Sequence, residues 1–219
     1  MERRYLQALG LLSGLYAALF AIRVVLTGTF HFWYLLWNLM LAWVSLVIIK
    51  LLIDRLRTSR WMCWQNISLT TLWLIFLPNT WYVLTDFVHV STNGEINQLF
   101  DIVLVGVLTI CGFILGFTSL YLMHKQLLQR LSGRASGLIV TAIIFISSFG
   151  IYIGRDLRWN SWDVVTNPSG IIINVSDKVI DPFGNPRAIN MTGLFFVMIG
   201  VIYLAIWVFF RPQQSRGKK

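Results

Sequence analysis

Charged residues are scarce in this sequence, which contains 12% charged and 57% hydrophobic residues over 219 positions. Soluble domains typically have about 25% charged and about 45–50% apolar residues. A soluble fold is therefore excluded, and the chain is expected to lie in a lipid bilayer. Cysteine is also rare, and Cys63 and Cys111 fall at different depths of the predicted spans, so no disulfide between them is expected.

The motifs of well-known reaction classes are missing as well. The sequence has no phosphate-binding loop, zinc signature, dinucleotide fingerprint or nucleophile motif. A formal net charge of +9 would favour nucleic-acid binding on a soluble domain, but here the charges lie between apolar runs. We therefore expect no cofactor, no metal and no nucleic-acid partner, and whether the protein is an enzyme stays open.

Six apolar segments are long enough, or nearly so, to cross the roughly 30 Å hydrocarbon core as helices of about 20 residues. They predict an all-α, polytopic membrane protein with a single integral membrane domain over residues 1–219. The predicted spans are residues 6–27, 32–53, 61–84, 102–123, 137–154 and 193–210.

The distribution of positive charge predicts the orientation of these spans. Most of the 18 Lys and Arg residues lie in the termini and in the loops after the second and fourth spans. The opposite side holds only Arg155, Arg158, Lys178 and Arg187, and most of the acidic residues. Because basic loops are retained in the cytoplasm, we expect both termini there, in a multi-pass protein of the cell membrane.

The first polar stretch on the predicted outer side follows Pro78. Proline disfavours helix in the residue before it and removes a backbone donor, so the third helix is expected to break there and fold back as an outer helical piece. In an α-helical piece, Asn79, Tyr82, Asp86 and His89 would share one stripe. Asp86 and His89 are the candidate catalytic acid–base pair, and Asn79 and Tyr82 are candidate substrate-binding residues. The alternative is a kinked helix end that turns its wetter face to headgroups.

The second polar stretch begins where the fifth span ends. Gly150 and Gly154 form a small-xxx-small pattern that allows close helix approach. Arg155 and Arg158, three residues apart, could hold a carboxylate or phosphate. Arginines at a span end are also ordinary interfacial anchors, which is the competing interpretation.

Two further features of this stretch are local. Asn160 and Asp163 are candidate binding residues, although a helix cap at Asn160 with an acid three residues later would explain part of this pattern without any chemistry. Apolar residues near helical spacing predict a short amphipathic helix on the outer surface near residues 168–181.

Arg23 lies inside a predicted span and far from its predicted cytoplasmic end. It lies 17 residues beyond Leu6, about 26 Å along a helix, and so approaches the outer boundary. We expect it to snorkel outward or to pair with Asp86, Asp101 or Asp156. The bilayer centre is then almost free of charge, which argues against an ion-coupled transporter.

Two motifs in this order resemble a known family. They are L-P-N-x-x-Y-x-L-T-D-x-x-H, from Leu77 to His89, and G-R-x-x-R-x-N-S-W-D, from Gly154 to Asp163. The chain resembles bacterial integral membrane proteins grouped as domain of unknown function thirteen-sixty-one. The resemblance implies a bacterial cytoplasmic-membrane protein and carries no catalytic residues with it.

Two functions remain open at this point. The outer polar residues could bind or process an anionic lipid or envelope precursor, with the arginines neutralising its charge and Asp86 with His89 transferring a proton. Alternatively, the same residues form an internal network in a structural or regulatory membrane partner, and a transporter is the third, less favoured option. If the two motifs form one site, Asp86 and His89 should face Arg155 and Arg158.

Overall fold

The computed structural model describes residues 2–30, 32–90, 98–157, 159, 166–167, 169–170, 176 and 185–210. In these residues the fold is helical, without β-strands. Its elements are α1 (Glu2–Thr27), α2 (Trp33–Arg55), α3 (Trp64–Phe76), α4 (Asn79–Tyr82), a 3-10 helix (Val83–His89), α5 (Gln98–Leu128), α6 (Gly133–Asp156) and α7 (Pro186–Phe210).

Six helical segments are long and apolar enough to cross a membrane, and α3, α4 and most of the 3-10 helix together form the third. Each overlaps a predicted span, so the six-helix prediction is confirmed. Large apolar side chains such as Leu11, Val25 and Val208 are exposed on the outside of the bundle. An exposed apolar surface of this kind fits contact with lipid rather than water.

The central helix of the bundle is α5, which packs against α1, α2, α4, the 3-10 helix and α6. Helix α7 packs mainly on α6. Polar contacts inside the bundle join the elements: Trp73 Nε1 of α3 donates to Ser119 Oγ of α5 at 2.7 Å, and Ser45 Oγ of α2 lies 3.1 Å from the same oxygen. Such contacts between helices each stabilise a membrane bundle by about 1 kcal/mol.

The two ends of the bundle are named here by a residue in a connecting loop. The Gly28 end holds the α1–α2 turn, the 3-10 helix and the last turn of α6, and the Arg57 end holds the α2–α3 loop and the first turn of α6. Gly28 has a φ of 66°, a left-handed conformation that glycine adopts without steric cost. That conformation ends α1 and lets the chain enter α2 within a few residues.

The predicted break at Pro78 is confirmed. Proline has no N–H to donate, and the next bonds are short-range, with Thr80 N donating to Leu77 O at 3.1 Å and Trp81 N donating to Pro78 O at 3.1 Å. The expected fold-back is wrong, however. Leu77 (φ −57°, ψ −42°) and Pro78 (φ −55°, ψ −32°) keep helical dihedral angles, so the chain continues in the same direction, first as α4 and then as the narrower 3-10 helix.

The short amphipathic helix predicted near residues 168–181 lies largely outside the described residues. Within that range the structure describes residues 169, 170 and 176 alone.

Candidate functional site

Asp86 is the carboxylate at the centre of the Gly28 end. It lies on the 3-10 helix, and its residue is only 1% exposed. Asn38 of α2 donates a hydrogen bond from Nδ2 to Asp86 Oδ2 at 2.8 Å. A buried carboxylate is costly unless hydrogen-bonded or paired, and Asn38 supplies one of the donors it needs. The sequence showed Asn38 as a polar residue inside a span, without a partner.

The expected stripe of four polar residues is changed by the 3-10 geometry. A 3-10 helix has 3.0 residues per turn, so Asp86 follows Val83 on one face and is rotated by about 120° from the face of Tyr82. The α-helical spacing used for the prediction is wrong for residues 83–89. Nothing is described of the His89 side chain, so the proposed acid–base pair lies outside the described atoms.

Asn79 makes a side-chain hydrogen bond at the helix break. Its Nδ2 donates to the Phe76 carbonyl oxygen at 3.1 Å. In an unbroken α-helix that oxygen would accept from the Thr80 N–H, which here donates to Leu77 instead. The side chain therefore satisfies a carbonyl that the break releases, and this accounts for an asparagine directly after the proline.

The glycine pair of α6 receives α4, as the small-xxx-small pattern predicts. A methyl group on Gly150 would lie 2.8 Å from Pro78 Cγ, and one on Gly154 would lie 3.4 Å from Tyr82 Cε2. Tyr82, a predicted binding residue, thus packs against the helix that carries Arg155. The close approach of the broken segment to α6 requires glycine at Gly150, whereas a methyl group at Gly154 would make an ordinary contact.

A second glycine pair, on α5, holds the other side of α4, and the sequence analysis missed it. A methyl group on Gly112 would overlap the Thr80 carbonyl oxygen and come within 2.6 Å of Val83 Cγ2. One on Gly116 would overlap the Thr80 side chain. The G-x-x-x-G spacing is visible in the sequence, but α4 as its partner is not, because that pairing is tertiary.

Arg155 faces Asp86 from α6. It interacts electrostatically with both Asp86 and the Tyr34 side chain. Within the described residues, Asp86 and Arg155 do not form an ion pair with each other at 4.0 Å or less. The two motifs therefore meet at the same end of the bundle, and the opposite charges of Asp86 and Arg155 interact at a separation greater than 4.0 Å.

Two tyrosines complete this arrangement. Tyr34 of α2 interacts electrostatically with Asp86, Arg155, Tyr82 and Arg23. Tyr16 of α1 is 0% exposed, interacts electrostatically with Asp86, and its hydroxyl makes no hydrogen bond to any described residue. No local pattern in the sequence marks either tyrosine.

These interactions connect five side chains, which together form the Asp86 cluster. They are Tyr16, Tyr34, Asn38, Asp86 and Arg155.

Arg23 pairs with Asp101, one of the three partners expected for it. Its Nε donates to Asp101 Oδ1 at 2.9 Å, the arginine residue is 2% exposed, and its guanidinium lies 4.0 Å from the centre of the Phe32 ring. Asp156 instead pairs with Arg187 of α7, Nε to Oδ2 at 2.9 Å. Asp86 therefore shares neither of these two ion pairs.

Three of the predicted binding residues, Arg158, Asn160 and Asp163, lie outside the described residues. In the part of the chain that is described, no group of three or more His, Cys, Asp and Glu side chains could hold a metal ion.

The six apolar helices define a multi-pass α-helical membrane protein with a buried polar cluster near one end. Within that class, the chain belongs to the family described as "Protein of unknown function (DUF1361)", which it matches over residues 37–212. The match includes Asn38, Asp86 and Arg155 and begins after α1. No curated protein and no solved structure matches the chain.

Proposed function

We propose that this protein binds an anionic, membrane-embedded ligand, of the lipid-phosphate or lipid-linked envelope-precursor class, at the Asp86 cluster. The observation that carries the proposal is the buried Asp86 carboxylate, which interacts electrostatically with Arg155 at a distance greater than 4.0 Å. Phosphate is a good partner for a guanidinium, and a carboxylate accepts hydrogen bonds from ligand hydroxyls.

The buried hydroxyl of Tyr16 supports the same proposal. A buried hydroxyl that lacks a partner costs free energy, and Tyr16 has no hydrogen bond to a described residue. A polar ligand group at the cluster would satisfy it. Asp86 meanwhile keeps its hydrogen bond from Asn38, so the carboxylate is held in place whether or not a ligand is bound.

We expect the Gly28 end to face the outside of the cell membrane, with both termini in the cytoplasm. The support is the concentration of Lys and Arg in the termini and in the loops of the Arg57 end. In that orientation the ligand would come from the outer leaflet of a bacterial cytoplasmic membrane.

The test is the amount of lipid phosphate that co-purifies with the protein in a mild detergent. Arg155→Gln should weaken binding at this site at least about tenfold, because a hydrogen bond to a charged group contributes about 1.5–3 kcal/mol, and should therefore remove about one lipid phosphate per protein from the total. Arg187→Gln is the matched control, since Arg187 lies at the same end but is 81% exposed in its ion pair with Asp156. Equal lipid content in the wild type and the Arg155 variant would contradict the proposal.

A structural role for the cluster is the second candidate, and the packing of α4 between two glycine pairs favours it. On this alternative, Asp86 and Arg155 dock the broken third helix and bind nothing else. Asp86→Asn should then lower the folded yield, and adding Arg155→Gln should restore part of it. A ligand site predicts near-normal yield for each single variant, with ligand lost in both and not recovered in the double variant.

A further inference from the structure

A groove of about 920 Å³ lies at the Arg57 end, between α6 and α7 and against the last turns of α5. Ligand pockets commonly enclose about 300–1,000 Å³, so the groove has room for a small molecule. It is far from the Asp86 cluster: a methyl group on Gly106 of α5 would lie 4.0 Å from Phe87, the neighbour of Asp86, and His124 follows 18 residues later, about 27 Å along a helix.

The floor of the groove is aromatic. His124 Nδ1 lies 2.8 Å from the Tyr203 hydroxyl, and the His124 ring stacks on Trp207 with centroids 4.1 Å apart. Hydrogen-bonded, stacked rings keep a fixed shape. Tyr and Trp are also the side chains enriched where a bilayer changes from hydrocarbon to headgroups.

Glycines give the groove its width. Gly137 of α6 and Gly200 of α7 line it, and a methyl group on either would meet no atom within 4 Å. These two glycines therefore do not serve helix contact, unlike Gly112 and Gly150. A larger side chain at either position would project into open space.

The charge at the mouth of the groove is positive. Arg134 is the only ionised side chain among the described lining residues, which include no carboxylate. It lies in the first turn of α6, where no acidic residue is present. The N-terminus of a helix already carries partial positive charge, so arginine there adds repulsion that an external anion would offset.

We propose that this groove binds one anionic glycerophospholipid, with its phosphate at Arg134 and an acyl chain lying over Gly137 and Gly200. Charge complementarity selects this occupant: basic pockets between helices near a basic membrane face bind anionic headgroups, and the apolar lining suits a hydrocarbon chain. The site is separate from the Asp86 cluster and does not depend on the function proposed for it.

The experiment counts bound lipids by native mass spectrometry of the detergent-purified full chain, to which phosphatidylglycerol or phosphatidylcholine with the same acyl chains is added. The wild type should bind phosphatidylglycerol about fivefold better, the ratio expected for one basic residue near an anionic headgroup. Gly200→Leu should lower the occupancy of both lipids at least fivefold. Gly193→Leu, on the same helix and also facing open space, should bind like the wild type.

The headgroup contact is tested separately. Arg134→Gln should bring the preference between the two lipids close to one. Arg130→Gln is its control, because Arg130 lies at the same end but donates to the Gln126 carbonyl oxygen and lies over Trp61.

Three results would overturn the proposal. The first is wild-type occupancy in Gly200→Leu, and the second is an unchanged preference for phosphatidylglycerol in Arg134→Gln. The third is a wild-type dimer that Gly200→Leu converts to monomer, which would make the groove a contact between two copies. Because all these variants retain Asp86 and Arg155, their failure would leave the Asp86 cluster untested, and the reverse also holds.

Discussion

Replacing Gly112 by alanine tests whether the broken third helix is held by glycine contacts. The added methyl group would meet the Thr80 carbonyl oxygen and Val83 Cγ2. A backbone oxygen cannot rotate away, so α4 must shift. Inserting a methyl group into a packed core costs about 1–3 kcal/mol, which the better helix propensity of alanine offsets by about 1 kcal/mol. We expect Gly112→Ala to be less stable than the wild type by up to about 2 kcal/mol.

The matched control is Gly14→Ala on α1, where the methyl group meets no atom within 4 Å. Here only the propensity gain remains, so this variant should be more stable by up to about 1 kcal/mol. A difference of about 2 kcal/mol between the two variants corresponds to roughly 4–8 °C in melting temperature for a chain of this length. This difference in melting temperature is measured by heating the purified variants and monitoring the remaining folded protein by size-exclusion chromatography. A Gly112→Ala protein that melts at or above Gly14→Ala would refute the account of the packing.

Three further predictions concern the rest of the bundle. Arg23→Gln or Asp101→Asn should each lower stability by about 3–5 kcal/mol, because one buried charge is left unpaired, and the double variant should recover part of the loss; single variants that melt like the wild type would show that the pair is solvated. Ser119→Ala should cost about 1 kcal/mol by removing the acceptor of an indole N–H, and an unchanged melting temperature would argue that this bond contributes nothing. In a cysteine-free background, Asn93→Cys should react with an impermeant thiol reagent in intact cells and Thr58→Cys only after permeabilisation; the opposite pattern would reverse the predicted orientation.

The helices and the break were accessible from the sequence because they depend on local properties. Long apolar runs give the six spans, and Pro78 cannot donate a backbone hydrogen bond wherever it stands in a helix. Gly150 and Gly154 were recognisable from their spacing. The depth of Arg23 in its span predicted snorkelling or one of three acidic partners, and in the structure its partner is Asp101.

The centre of the candidate site was less accessible because it depends on pairing between helices. Asn38 and Tyr16 belong to apolar spans, and nothing local indicates that they approach Asp86. The predicted α-helical stripe is wrong for a different reason. From Val83 the chain forms a 3-10 helix, and its three residues per turn place Asp86 on a different face from Tyr82. The 3-10 helix packs against α5 and α2, and these tertiary contacts cannot be predicted from local helix propensity.

An experimental structure of the protein purified with its native lipids tests the proposed ligand site most directly. We predict density for an anionic group between Asp86 and Arg155, with an oxygen within about 3 Å of the guanidinium and the Tyr16 hydroxyl bonded to the ligand or to water. Direct pairing of Asp86 with Arg155, with no ligand density between them in a fully folded protein, would contradict the account.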